Sequence, residues 1–349
     1  TQALILCPTR ELADQVSKEI RLLARAIPNT KIITLCGGKP MAPQLTSLEH
    51  SPHIVVGTPG RVLNHLEKGS LKLGKLQTLV LDEADRMLDM GFHEDIMRII
   101  STTPKQRQTL LFSATYPDAI KAISDEIQHK PVEVRVESVH SNKQIEQVFY
   151  EIQKGERTKT LIALLQHYRP ESSLVFCNRK QQCQELATEL WQQGFHALAL
   201  HGDLEQKERD QVLVQFMNKS TSILIGTDVA ARGLDVKDLQ AVINFELSPD
   251  PEVHIHRIGR TGRAGNKGLA ISLFMASEAP KVIAIETYQD CSHKIAKTTS
   301  LTNRENFKLS PPMVTLCING GRKNKVRAGD ILGALTANAK LPGKQIGKI

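Results

Sequence analysis

Short apolar runs alternate with helix-length amphipathic stretches along most of this chain, and that alternation leaves few folds open. The runs are Ala3–Cys7, Lys31–Cys36, His53–Gly57, Thr78–Leu81 and Gln108–Phe112. After a polar stretch, Glu137 to Gln144, the pattern restarts with Ser173–Cys177, Ala197–Leu200, Ser222–Gly226, Ala241–Phe245 and Leu269–Phe274. Strands alternating with helices imply βα units and parallel sheets, whose strands are covered on both faces and read as continuous apolar runs. Between the first two runs, Leu12, Val16, Ile20, Leu23 and Ile27 recur at helical spacing. The expectation is two tandem α/β bodies. At 349 residues the chain has room for both and for part of a third.

The run Thr78–Leu81 ends in Asp82-Glu83-Ala84-Asp85. Ligands of open α/β sheets bind beyond the carboxyl ends of the strands. Paired acids there can hold a hydrated Mg²⁺ and orient a water toward a phosphate. The sequence contains no G-x-x-x-x-G-K-[ST]. Its nearest approach, Gly69-Ser70-Leu71-Lys72-Leu73-Gly74-Lys75-Leu76, has Leu where the metal-binding hydroxyl belongs. It also precedes a strand instead of following one, so it reads as a surface turn.

In the second body, His256-Arg-Ile-Gly-Arg-Thr-Gly-Arg263 brings four cation-capable groups and two glycines together. Such a segment can present guanidiniums to phosphoryl oxygens. With acids on one body and arginines on the other, nucleotide hydrolysis is expected in a cleft that closes between them. The overall charge of +8 is concentrated: residues 301–349 hold nine basic and two acidic side chains. Within that tail Arg322, Lys323, Lys325 and Arg327 cluster beside glycines, a composition suited to nucleic acid. Aromatics are only 4% of the chain, which argues against a base-stacking platform. The six cysteines form no C-x-x-C or zinc spacing, and there is no signal peptide or long apolar run. A reduced, cytoplasmic protein that neither spans nor binds a membrane is expected. His254 is expected to be packing or surface.

Taken together, these segments resemble the DEAD-box RNA helicases. Pro8-Thr-Arg-Glu-Leu-Ala-Asp-Gln15, Gly37-Gly38, Thr58-Pro-Gly-Arg61, Asp82 to Asp85 and Ser113-Ala-Thr115 stand in family order. Val175-Phe-Cys-Asn178, His201-Gly202 with Gln206 and Arg209, Thr227 to Asp235 and the octapeptide follow. The resemblance covers about residues 1–296, and the basic tail is similar to the RNA-binding module of the DbpA subfamily. It implies an α/β fold: two tandem RecA-like parallel-sheet domains plus a partial RRM-like α+β C-terminal module. The expected boundaries are domain 1 at 1–136, a linker at 137–147, domain 2 at 148–297, a linker at 298–312 and the partial module at 313–349. In that module we expect a strand at Val314–Ile318, a helix at Gly329–Leu335 and the start of another strand at Ile346.

The resemblance also implies roles. Asp82 holds Mg²⁺ through water, Glu83 orients the attacking water, and Asp85 bonds Ser113, Thr115 or His256. Arg260 and Arg263 are arginine fingers, and Gly233 and Asp235 contact the nucleotide. Thr9, Arg10, Gly38, Thr58, Arg61, Arg209 and Thr227 hold the RNA backbone, although Thr9 and Arg10 also suit a plain helix start. The implied cofactors are ATP and Mg²⁺. The implied partner is RNA, large-subunit ribosomal RNA during assembly, with no DNA and a monomeric state expected. The missing phosphate loop is read as truncation of a longer helicase, which leaves the initial strand without its neighbours and one sheet edge open. The rival readings are an ATP-independent RNA-binding remnant and a DNA-translocating helicase.

Overall fold

The computed structural model describes residues 1–135, 145–231, 239–262, 267–301 and 309–349. They fall into two compact units, the first holding residues 1–135 and the second the described residues from 145 onward.

In the first unit, strands β1 (Ala3–Leu6), β2 (Ile32–Leu35), β3 (Ile54–Gly57), β4 (Thr78–Leu81) and β5 (Gln108–Leu111) form a parallel sheet in the order β2-β3-β1-β4-β5. Its helices are α1 (Arg10–Leu23), α2 (Met41–Leu48), α3 (Pro59–Glu67), α4 (Ala84–Asp89), α5 (His93–Ser101) and α6 (Asp118–Ile127). Leu4, Leu6, Leu35, Val55, Leu79 and Leu81 are buried on one face, with Met87, Ile96 and Ile120 against them. Ile5, Cys7 and Val56 pack on the other face with Leu12 and Ala13 of α1.

The initial strand does not lack neighbours, contrary to expectation. β1 pairs with β3 on one side and β4 on the other, and the sheet edges are β2 and β5. The stripe on α1 is shorter than its spacing suggested: Val16 and Ile20 pack on the sheet, while Leu23 and Ile27 are exposed. A four-residue strand is about 13 Å long and a 14-residue helix about 21 Å, so the last turn overhangs the sheet.

The second unit builds a seven-stranded sheet from β6 (Ile145–Glu151), β7 (Ser173–Phe176), β8 (Ala197–Leu200), β9 (Ile223–Gly226), β10 (Ala241–Asn244), β11 (Gly268–Phe274) and β12 (Lys294–Ala296), in the order β12-β6-β11-β10-β7-β9-β8. Every pairing is parallel. Helices α7 (Arg157–Tyr168), α8 (Lys180–Gln192), α9 (Gln206–Met217), α10 (Asp228–Ala231), α11 (Pro251–Ile258) and α12 (Ala279–Gln289) intervene. β6 begins at Ile145, inside the stretch expected to be a linker. Only Val148, Phe149 and Tyr150 are consecutively buried, set between the polar Gln147 and Glu151, so the apolar run is too short to stand out as a strand.

The tail departs most from expectation. Among its described residues there is no strand at Val314–Ile318 or at Ile346; it holds α13 (Ala328–Gly333) and single helical turns. Val314, Leu316 and Ile318 alternate as a strand would, yet all three are exposed. A period of two sets which face a side chain takes, but a strand exists only where a second strand completes its hydrogen bonds. At its start the tail is anchored to the rest of the second unit. Leu309 lies in that unit's core, the Met313 N–H donates to the Lys219 carbonyl (3.3 Å), and Thr315 and Ser220 share a hydroxyl bond of 2.5 Å.

Candidate functional site

The expected residues of the first unit gather beyond the carboxyl ends of its strands, and the strand order divides them. β2, β3 and β1 lead to Gly38, to Thr58 and Arg61, and to Thr9 and Arg10; β4 and β5 lead to the acids and to Ser113 and Thr115. The residues expected to meet RNA and the acidic set thus occupy opposite halves of one sheet end.

Within the acidic half, the Asp82 N–H donates to the Leu6 carbonyl (3.0 Å), which continues the ladder into the turn. Glu83 then takes a left-handed backbone, φ 49° and ψ 54°. That conformation costs a non-glycine residue of order 1 kcal/mol and gathers at functional sites. The turn is held by the Ala84 N–H to the Phe112 carbonyl (3.0 Å). Asp85 is buried and fully engaged: its N–H donates to Ser113 Oγ (3.3 Å), and its Oδ2 accepts from Thr115 Oγ1 (3.1 Å). Its Oδ1 accepts the Arg86 N–H at 3.0 Å. Two of the three partners expected for Asp85 are therefore present within this unit. Burial pushes the Asp82 carboxyl above its ordinary range, partly offset by the Glu83 N–H at 3.1 Å. A half-buried acid short of donors is suited to a hydrated divalent cation, which would stabilise its ionised form.

In the other half, Thr9 caps α1: its Oγ1 accepts the Leu12 N–H at 3.2 Å, so the helix-start reading holds for this hydroxyl. The Arg10 guanidinium lies against Gly37, 3.6–3.9 Å from where a Cβ would stand. Gly38 has φ +74° and is exposed. Thr58 follows Gly57, where a Cβ would sit 2.5 Å from the Leu35 carbonyl, so only glycine admits this approach of β3 to β2. Arg61 on α3 donates through Nη1 to the Lys39 carbonyl (3.1 Å) and to Gln44 Oε1 (3.0 Å).

The second unit has a centre that residue counting did not single out. Arg257 is fully buried and donates through Nε and Nη2 to the two oxygens of Asp228, at 2.6 and 2.7 Å. It also reaches Asn178 Oδ1 (2.8 Å), the Glu246 carbonyl (2.7 Å) and Asn244 Oδ1 (3.3 Å), and stacks 5.0 Å from the Phe176 ring centroid. The octapeptide therefore does not offer all its cations to phosphate, because Arg257 ties β7, β10, α10 and α11 together. Helical phase was the available signal: His254, Arg257 and Ile258 are spaced to share the inner face of α11. Arg260 lies just past the helix end and is half-buried; His256 is half-buried with Nε2 3.3 Å from Glu252 Oε1. Thr227 and Arg209 are partly exposed. Gly233, Asp235 and Arg263 lie outside the described residues, as does the side chain of Arg322. Lys323, Lys325 and Arg327 are exposed.

Residues 1–123 match the DEAD/DEAH box helicase family, residues 156–265 the helicase conserved C-terminal domain, and residues 315–349 the DbpA RNA binding domain. The chain is 54% identical over 349 residues to the ATP-dependent RNA helicase DbpA of Escherichia coli, covering all of this chain and 76% of that protein. The chain belongs to the DbpA-like DEAD-box RNA helicases. Its resemblance to other members is broad. The ATP-dependent RNA helicase CshA of Listeria monocytogenes is 44% identical over 278 residues, which are 79% of this chain and 53% of that protein. Among solved structures, S. cerevisiae Dbp5 bound to RNA and ADP BeF3 is 30% identical with a TM-score of 0.76, covering 85% of this chain and 78% of that one. Both parallel sheets are those of the RecA-like helicase fold, and the family's enzymes are ATP-dependent.

Proposed function

We propose that the protein couples ATP hydrolysis to local separation of RNA duplexes, acting as a cytoplasmic monomer on large-subunit ribosomal RNA during assembly. The observation that carries the enzymatic reading is Asp85, locked between Ser113 and Thr115 beside a left-handed Glu83 at the end of β4. A strained turn secured on both sides holds two acids in place before substrate arrives. Asp82 is the residue to hold Mg²⁺ through water, and bound Mg²⁺ supplies charge neutralisation for the transferring phosphoryl group. Glu83 orients the attacking water. Asp85 links the acidic turn to Ser113 and Thr115. In the second unit Arg260 and Arg263 serve the developing phosphoryl charge, and Gly233 and Asp235 the nucleotide.

Thr9, Arg10, Gly38, Thr58, Arg61, Arg209 and Thr227 are assigned to the RNA backbone. Their hydroxyls, amides and guanidiniums suit phosphates and 2′-hydroxyls but carry little base information. Preference for a particular RNA then falls to the tail, through Arg322, Lys323, Lys325 and Arg327; the ribosomal target rests on the DbpA-type domain at residues 315–349. The cytoplasm is supported by six cysteines that show no C-x-x-C or zinc spacing.

The test is RNA-stimulated phosphate release from ATP by the protein at its native length, with and without Glu83→Gln. Loss of release with retained RNA binding supports the assignment. Undiminished release in the variant overturns the role of Glu83. RNA binding with no ATP dependence in the unaltered protein favours an ATP-independent clamp, and a preference for DNA of the same sequence favours a translocating helicase.

A further inference from the structure

Behind Arg61 lies a buried polar chain that the roles above leave unexplained. His65, one helical turn on in α3, is fully buried, and Gln44 of α2 is almost so. Gln44 Nε2 donates to the Cys36 carbonyl at the end of β2 (3.0 Å), which fixes its Oε1 as the acceptor. That oxygen receives Arg61 Nη1 at 3.0 Å and faces His65 Nε2 at 2.9 Å. His65 must then present Nε2–H, leaving Nδ1 as an acceptor 2.9 Å from the Ser70 hydroxyl. That hydroxyl also lies 3.0 Å from the His65 carbonyl, which the Ser70 and Leu71 N–H groups already satisfy, so its hydrogen is available to Nδ1. Every member is satisfied with the imidazole neutral, and burial, with Arg61 and Lys68 nearby, lowers the His65 pKa in the same direction.

We propose that Gln44 is a positioning residue for Arg61, acting at the end of a Ser70–His65–Gln44 chain that clamps one guanidinium nitrogen. The inference rests on the reading of Arg61 as an RNA-backbone residue. With Nη1 held between Gln44 Oε1 and the Lys39 carbonyl, the fork is fixed about that corner. Nε–H and the Nη2 hydrogens make no hydrogen bond among the described residues, which leaves the bidentate side for an anion. An arginine fixed in this way loses less rotamer entropy when it meets a phosphate than one on a free stem. The network ties α2, α3 and the end of β2 into one support, so the backbone half of the sheet end is held by polar contacts as well as by packing. A buried network of this kind specifies geometry only if it is complete, which this one is.

The experiment measures single-stranded oligouridylate binding to the full chain by fluorescence anisotropy. The tail is silenced by Lys323→Ala, Lys325→Ala and Arg327→Ala in every sample. Arg61→Ala is expected to weaken binding by roughly tenfold, the loss of a charge-assisted contact. Gln44→Leu is expected to weaken it several-fold when Arg61 is present and to change nothing in the Arg61→Ala background. Urea midpoints identify variants that merely unfold. Should Gln44→Leu misfold, His65→Gln, which preserves a donor toward Gln44, replaces it and is expected to keep Arg61 effective where His65→Leu does not. If Arg61→Ala matters but Gln44→Leu does not, or if Gln44→Leu weakens binding equally without Arg61, the positioning role is overturned while the RNA reading stands. If Arg61→Ala has no effect, that reading of Arg61 fails and the inference with it.

Discussion

Acidification should destabilise the second unit through His254, and the size of the effect follows from the packing. The ring is fully buried on α11, stacked 5.8 Å from Phe149, which also stacks on His293 at 4.9 Å and meets Phe274 edge-on. Its Nδ1 lies 3.4 Å from Asn244 Nδ2, a donor, and its Nε2 lies 3.4 Å from Gln147 Oε1, an acceptor. Those partners select the neutral ring with hydrogen on Nε2; a second proton would point Nδ1–H at the Asn244 amide hydrogens. Burial first, then the Arg257 and His293 charges, lower its pKa from 6.5 to about 3. The folded pKa is depressed, so stability is complete above the unfolded value and declines as pH falls below it. At 1.36 kcal/mol per pH unit, the loss is about 2 kcal/mol at pH 5 and about 3 kcal/mol near pH 4. His65 and His293 are also lowered by burial and add to the slope, so the measurement is a difference. Urea unfolding at about pH 8, 6 and 5 is compared between the protein and His254→Gln, which keeps a polar side chain without a titrating one. The chain's one tryptophan, Trp191 on α8, reports the second unit alone. The unaltered protein should lose about 2 kcal/mol more than the variant over that range. Parallel pH profiles would refute the reasoning.

Arg257→Met removes the partner of Asp228 and should cost about 3 kcal/mol by urea unfolding; adding Asp228→Asn should restore part of it, because the stranded carboxylate carries much of the penalty. A loss below about 1 kcal/mol would show that the hub is not structural. Replacing Lys323, Lys325 and Arg327 by Ala should flatten the dependence of log K for single-stranded RNA on log salt by about 2 if all three meet phosphate. An unchanged slope would remove the tail's cations from the RNA interface.

How much was legible depended on whether a feature was local. The strands of both sheets could be found because parallel strands covered on both faces leave continuous apolar runs, as Ser173–Phe176 does with all four residues buried. β6 escaped because polar Glu146, Gln147 and Glu151 leave it only a three-residue apolar run, and β12 because three residues carry too little pattern. The acids and hydroxyls of the first unit were readable as types at strand ends. That Asp85 bonds Ser113 and Thr115 follows from β4 and β5 being neighbours, which no local pattern states. Arg257 and Arg260 look alike in sequence and differ in burial, because the first falls on the inner face of α11 and the second past its end.

Chain periodicity and motif order by themselves determined the number of α/β bodies, their parallel strands and the family. Those depend on contacts between near neighbours and on which side chains must be apolar. Tertiary structure alone decided that the first strand is interior, that one arginine of the octapeptide is buried, that Gln44 and His65 stand behind Arg61, and that Val314–Ile318 forms no strand among the described residues. Each of these turns on a partner distant in sequence, and hydrogen bonds and burial are properties of the pair, not of either residue.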